Sequence, residues 1–399
     1  MALAPPAMED EAVAKKLGPR DKVQVKKKET GTRGKVSGQD RRTHNQKTMK
    51  VRSKEPFPFK TAKNILVRST NWIGDAVMTL PAMAAIRKNL PDAQITVLAK
   101  PWVAELFHIC PDVDDVMIFQ APGIHEGLSG RFQLAAELRK KRFDAAILLQ
   151  NAIEAAILSR LAGIRVRVGY NSDIRGFLLT HSVQRTKTIR RVHQIDYYLE
   201  MVKSLGFMSA GREVKLRVGR DYADIASSLF ENFNIPSDKP LIGIAPGATY
   251  GPAKMWFPER FATVADRFTE ELAATILLFG SQADRAVTEK VRRHAFHPLI
   301  DIAGKTSLKE AMALIARCRL FLSNDSGLMH VAGAMGIPTV AVFGSTNPVT
   351  TSPVGEKSVI VTKSVSCSPC LKKTCDTDFR CMDLITVDDI YEAAKNLWL

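Results

Sequence analysis

The sequence predicts an α/β chain built as two doubly wound domains. Three observations carry that expectation. From residue 64 onward, short apolar runs alternate with amphipathic stretches, the pattern of βα units feeding a parallel sheet. The alternation occurs twice, in series of similar length that begin near Asn64 and Leu241. The 399 residues also give ample length for two buried cores.

In the first series, residues 64–68 (NILVR) read as a strand. Residues 75–90 read as a helix, with Val77, Leu80, Met83, Ala84 and Ile86 on one side. Further strands are expected at 95–98, 116–119 and 144–149, with a helix near 130–141. The second series places strands at 241–245, 275–280, 299–302, 320–323 and 338–343. Ser307 and Glu310 have capping-box spacing, which opens a helix between two of those strands. Thr386 to Asp389 is a similar signal for a last helix. The expected limits are an N-terminal domain over 61–218, a C-terminal domain over 219–385 and a closing helix over 386–399. Residues 1–60 are expected to lie outside the fold.

Composition narrows the function. A hydrophobic content of 45% with 25% charged residues belongs to an ordinary soluble globular protein and excludes collagen-like or polytopic membrane chains. The formal net charge is +16, and residues 1–63 hold seventeen Lys/Arg against seven Asp/Glu. That segment lacks Ile, Trp and Tyr, so it buries too little apolar surface to offset its ordering entropy. Charges interrupt it before any sustained apolar run, so it is not a secretory signal. Residues 326–355 carry no Asp, Glu, Lys or Arg, but glycines, prolines and His330 break them into helix, turn, strand and loop. Only two of the six cysteines precede residue 367, which points to a reducing cytoplasm without a disulfide framework.

In doubly wound sheets ligands sit beyond the carboxyl ends of the strands, so the segments directly after strands matter most. No Gly-x-Gly-x-x-Gly follows a first strand, and no Gly-x4-Gly-Lys-Ser/Thr occurs. A dinucleotide dehydrogenase and a P-loop kinase therefore lose their support. After the first strand stands Ser69-Thr70-Asn71-Trp72-Ile73-Gly74-Asp75, whose Asp75 is either a helix N-cap or a carboxylate placed to act as a general base. After residue 245 comes PGATYGPAKMW, where backbone N–H groups and Lys254 can hold a phosphate. Ser323-Asn324-Asp325-Ser326-Gly327-Leu328-Met329-His330 ends a buried strand and opens a helix, an anion-binding arrangement with His330 one turn in. Between Arg160 and Arg191 lie eight basic residues and one acid, Asp173. Cys367, Cys370, Cys375 and Cys381 form a last cluster, read as free thiols or a local disulfide, with a structural metal as the alternative.

NWIGDAVMTLPAMAAI, PGATYGPAKMW, FGSQAD, DIAGKTSL and SNDSGLMHVAGAMGIPTVAVFG, in that order, resemble the ADP-heptose:lipopolysaccharide heptosyltransferases, most closely the heptosyltransferase II branch. RVGY at 167–170 and RGFLL at 175–179 also resemble that family. The likeness runs from residue 64 to the end, and one departure is Phe257 between Trp256 and Pro258. The resemblance implies a GT-B fold, two Rossmann-like doubly wound domains facing a cleft, and an inverting reaction that requires no cofactor. Asp75 is then the expected base. Thr249, Tyr250, Lys254, Gly280, Ser281, Asp284, Asp325, Ser326, Gly327 and His330 are the expected donor-binding residues. The implied donor is ADP-L-glycero-D-manno-heptose. The implied acceptor is the lipopolysaccharide core, Kdo–lipid A bearing heptose, a negatively charged glycolipid. Arg185, Lys187, Arg190 and Arg191 are expected on the acceptor side. The chain is expected in the cytoplasm, in peripheral contact with the inner face of the cytoplasmic membrane, with no nucleic-acid partner. Two rival readings are a related heptosyltransferase with another acceptor and a non-catalytic nucleotide- or RNA-binding protein that uses the basic tail.

Overall fold

Ile65, Leu66 and Val67 have no exposed face, so the run that contains them is stable only in the middle of a sheet covered on both sides. The computed structural model, which describes residues 49–53 and 55–398, places it there. The first sheet contains β1 (Val51–Arg52), β2 (Asn64–Arg68), β3 (Gln94–Ala99), β4 (Asp115–Ile118), β5 (Ala145–Leu148), β6 (Val166–Tyr170) and β7 (His181–Val183). Its order is β1-β7-β6-β5-β2-β3-β4, parallel except for β1, which runs antiparallel to β7 with Val51 opposite Val183. The second sheet contains β8 (Leu241–Ala245), β9 (Thr275–Leu278), β10 (Ile300–Asp301), β11 (Cys318–Asn324), β12 (Thr339–Phe343) and β13 (Ser358–Thr362). It is parallel throughout, in the order β10-β9-β8-β11-β12-β13.

Both orders reverse direction beside their first long strand. The chain moves from β2 to β3 and β4, then returns to the other side of β2 as β5; β8 and β11 repeat the manoeuvre. Helices after those strands leave on opposite faces, which opens a crevice at each switch point. The segments after β2, β8 and β11 border these two crevices, and they are the segments the sequence singled out.

The helix Ile73–Asn89 joins the two halves. It buries residues all round, including Thr79 and Pro81, because the helix Gln194–Lys203 and the helix Gly327–Ala334 both pack against it. One apolar core runs from Ile65 and Val67 through this helix to Val331 and Ala332 of the second half. The expected helix starts both form: Ser307 Oγ accepts from Glu310 N at 3.2 Å, and Thr386 Oγ1 accepts from Asp389 N at 3.1 Å. The last helix, Val387–Trp398, packs on the helix Pro258–Leu272 of the second half.

The expected limit of the N-terminal extension is too late. Residues 1–48 lie outside the described residues, but Val51–Arg52 pairs with β7 and Phe57 is buried. The rings of Phe57 and Phe59 both stand against Phe207, with centroids 5.0 and 4.8 Å away. The only two aromatics of the first 63 residues therefore fasten the chain to the fold, and low average hydrophobicity over that window hid the attachment.

Candidate active site

The two switch points meet at a pair of glycines. A Cβ on Gly74 would lie 2.7 Å from His330 Cδ2, and one on Gly327 would lie 2.8 Å from Ile73 Cβ. Both distances are shorter than side chains tolerate, so the first turns of the helices Ile73–Asn89 and Gly327–Ala334 approach this closely only as glycine. The positive ends of two helix dipoles thus converge where the halves touch.

Asp75 stands in the first turn of the helix Ile73–Asn89, but it is not the N-cap. That position belongs to Trp72, and the Asp75 carboxyl makes no hydrogen bond or ion pair with any described residue. The fold leaves its carboxyl group unused. Burial pushes that carboxyl up to about 6; Lys254 pulls it back and Asp325 raises it further. The helix Gln194–Lys203 packs on the helix Ile73–Asn89, and its buried Tyr198 lies close enough to feel the charge of Asp75.

Across the junction, Lys254 ends a short turn over Pro252–Lys254, and its Nζ lies 2.7 Å from Asp325 Oδ2. Asp325, only 5% exposed, also accepts from Thr346 Oγ1 at 2.7 Å. The Lys254 ammonium is 5.2 Å from the centre of the Tyr250 ring. This is a nearly desolvated ion pair, so removing either partner leaves a costly buried charge. His330 is buried with Nδ1 unpartnered, and burial drives its ring down to about 4, so it is neutral at pH 7. Ser326 opens the helix Gly327–Ala334 without capping it; its Oγ faces Ser323 Oγ at 2.9 Å.

The structure thus brings Asp75, Lys254, Asp325, Ser326, Gly327 and His330 to one junction. Thr249 and Tyr250 are exposed beside it, and Tyr250 Oη donates to Leu371 O at 2.8 Å. Gly280, Ser281 and Asp284 form a local unit instead. Asp284 Oδ2 accepts from Ser281 N at 2.8 Å, and the Asp284 side chain packs against Gly247 and Gly280, where a Cβ would collide. In the basic sector, Lys187, Arg190 and Arg191 are exposed, and Arg185 lies 5.7 Å from the Tyr197 ring centre. Arg175 is internal: its Nε donates to Tyr170 O at 2.9 Å. Arg167 Nε donates to Leu178 O at 2.7 Å, so neither presents its full charge to solvent.

The four clustered cysteines line a cavity of about 120 Å³, and all are free thiols, so the local disulfide is not formed. Among the described residues no three His, Cys, Asp or Glu side chains converge on a point that could hold a metal ion. The segment instead buttresses the lysine loop, because Lys373 O accepts from Ala253 N at 3.0 Å.

A family model for glycosyltransferase family 9 (heptosyltransferase) matches residues 131–379, well over half of the chain. The chain belongs to glycosyltransferase family 9. It is 30% identical to lipopolysaccharide heptosyltransferase 2 of Salmonella typhimurium over 74% of this chain and 87% of that protein. It is 31% identical to lipooligosaccharide heptosyltransferase 2 of Haemophilus ducreyi over 74% of this chain and 88% of that one. Its fold matches the solved structure of ADP-heptose lps heptosyltransferase II from E. coli with a TM-score of 0.70 at 27% identity, covering 84% of this chain and 98% of that one. The two facing sheets are therefore the GT-B arrangement, and the chain is a glycosyltransferase.

Several residues of this family 9 transferase escaped the sequence reading. Asn324 ties the two strand ends of the second crevice together: its Nδ2 donates to Pro246 O at 2.7 Å and its Oδ1 accepts from Trp256 N at 3.0 Å. Arg68, almost wholly buried, donates to Asn71 Oδ1 at 2.9 Å and so braces the loop that leads to Asp75. Burial lowers Arg68 to about 10 and Lys100 to about 8, and both stand over Phe119, with Arg131 also 4.8 Å from that ring. An arginine closing an otherwise apolar strand was the available signal for Arg68; nothing in the sequence marks the other two.

Proposed function

We propose that this glycosyltransferase moves heptose from ADP-L-glycero-D-manno-heptose to the inner core of lipopolysaccharide, with inversion at the anomeric carbon. The observation that carries the mechanism is Asp75: a carboxylate without a structural partner, at the junction of the two halves, facing Lys254 and Asp325. In this reading the first half holds the acceptor and the second half holds the donor. The acceptor hydroxyl oxygen forms the new bond to the anomeric carbon while the bond to the diphosphate oxygen breaks. Asp75 takes the hydroxyl proton, and a pKa near 6 leaves it mostly ionised at neutral pH yet basic enough to act. Negative charge then grows on the departing ADP. Lys254 and the N–H groups opening the helix Gly327–Ala334 are fixed donors for that charge, supplied without reorganisation.

No helix of the described residues is long and apolar enough to cross a membrane. Contact with a lipid-borne acceptor is then peripheral, at the inner face of the cytoplasmic membrane, with Arg185, Lys187, Arg190 and Arg191 meeting its anionic groups. The test is direct. Purified protein is given ADP-heptose and acceptors carrying zero, one or two heptoses, and products are weighed by mass spectrometry. Addition of one heptose to the singly substituted acceptor is expected. Transfer to the unsubstituted acceptor alone would identify a different member of the family, and no turnover on any acceptor would refute the reading.

A further inference from the structure

The carboxyl rim of the first sheet is apolar where a soluble surface is ordinarily polar. The loops and helix starts after β4, β5 and β6 expose Ile124, Leu128, Phe132, Ile157, Ile174 and Phe177. Leu128 is 81% exposed, Ile174 84% and Phe177 74%. The segments that carry them adjoin one another. The helices Gly127–Lys140 and Ile153–Leu161 pack together, and Ile153 N donates to Asp173 Oδ2 at 2.7 Å, which joins the second helix to the 171–177 loop. Isolated exposed apolar residues need no explanation, but a contiguous rim of them marks an interaction surface.

The backbone strengthens the point. Asp173 and Ile174 are consecutive left-handed residues, with φ of 51° and 55°. A β-branched side chain is strained there, and glycine would relieve it. The fold holds an isoleucine in an unfavourable conformation while giving its side chain no packing.

A groove of about 620 Å³ says what the rim faces. One wall is Ile174 and Phe177; the other carries Lys50 and Arg52 of the edge strand β1. Gln184 N donates to Lys50 O at 3.0 Å, so the same cations adjoin the loop that carries Arg185 and Lys187. Of the rim's own acids, Glu154 is paired with Arg131, while Asp173 and Glu126 are held by Ile153 N and Gly123 N and keep their charge. Apolar side chains beside cations that form no ion pair with any described residue match an interface with acyl chains below and anionic phosphates above.

We infer that this rim is a docking surface for an anionic lipid bilayer, with Leu128, Phe132, Ile174 and Phe177 entering the interface and Lys50 and Arg52 meeting lipid phosphates. The inference rests on the reading that the acceptor is lipid-borne. It adds the orientation: the crevice that follows β2 opens on the same edge, towards the membrane.

The test uses the full chain and vesicles without donor or acceptor, so its outcome is independent of which sugar is transferred. Sedimentation with phosphatidylcholine vesicles is compared with vesicles also containing phosphatidylglycerol, at low and at high salt. Wild type is expected to prefer the anionic vesicles and to keep part of its binding when salt has screened the charges. Leu128→Ser, Phe132→Ser and Phe177→Ser combined should lower partition by at least about a hundredfold, with ADP binding intact. Ile174→Gly guards against a folding artefact, because it relieves strain; it should bind vesicles about tenfold less while unfolding no more easily. Equal binding of wild type and both variants would overturn the inference, as would binding lost entirely at high salt. Variants that change only the oligomeric state would make the rim a contact between copies of this chain, and would overturn it too.

Discussion

Asp75→Asn separates a base from a helix cap, because the two roles predict opposite changes in stability. The native carboxyl titrates at about 6 against 3.8 for an unperturbed side chain, so the folded state binds this proton more tightly than the unfolded chain does. Stability therefore falls as pH rises from about 4 through about 6, and the full cost of the buried charge is present above that window. A tenfold change in proton affinity corresponds to about 1.4 kcal/mol, and discounting for the solvent that still reaches Asp75 leaves a gain of about 1–3 kcal/mol for the asparagine variant at pH 7.5. The gain should vanish near pH 4. A carboxylate that served the helix dipole would instead make the substitution destabilising by about 0.3–1 kcal/mol. Denaturant unfolding of both proteins at the two pH values gives the sign. Turnover should fall by about 10²–10⁴-fold with donor affinity nearly unchanged, since Asp75 does not touch the diphosphate groups proposed here. Wild-type kcat/KM should fall below pH 6 with the slope of one proton, and the variant should lack that limb. A folded variant with near-normal turnover removes Asp75 from the chemistry, and a less stable one refutes the electrostatic account.

Other perturbations address the remaining parts of the site. His330→Gln should keep the acid limb near pH 6, because the ring is already neutral down to about 4; loss of the limb would transfer it to the histidine. Lys254→Ala should weaken ADP binding by about ten- to a hundredfold and destabilise the fold by about 3–5 kcal/mol, because it strands Asp325 as a buried unpaired charge; calorimetry and unfolding check both. Reversing charge at Arg185, Lys187, Arg190 and Arg191 together should raise the acceptor KM and spare donor binding, and added salt should act in the same direction, since screening acts within about 8 Å at physiological ionic strength. Deleting residues 1–60 should cost about 3–5 kcal/mol through loss of the buried Phe57 and of β1, read by denaturant unfolding.

The parts of this molecule that sequence made legible are those written in local periodicity. Strands such as β2, β8 and β11 centre on runs of Ile, Leu, Val and Phe, with Arg68 and Arg319 only near the strand ends, and a chain can hide such a run only inside a covered sheet. β6 was missed as a strand because its sequence, VRVGY, carries Arg167, whose guanidinium is satisfied by backbone carbonyls that only the folded loop provides. β13, SVIVT, does carry a short Val-Ile-Val run, but it is only three residues long and all five residues of the strand are half-buried in the fold. Asp75 was visible as a carboxylate after a strand, yet whether it capped the helix depended on the chain turning at Trp72, three residues earlier than the carboxylate suggested.

The electrostatics of the site lay beyond any local reading, because no single half contains them. Lys254 and Asp325 are 71 positions apart and meet only because β8 and β11 are neighbours at a switch point. Asp75 belongs to the other sheet, and its carboxyl is raised by burial that requires the two glycines Gly74 and Gly327 to let the helix starts close on each other. Separating the halves would hydrate Asp75 and return it towards an ordinary carboxylate, with much weaker basicity. Closure is thus what prepares the base, and a methyl group at Gly74, pressing on the His330 ring at 2.7 Å, should impair catalysis more than it impairs donor binding to the second half alone.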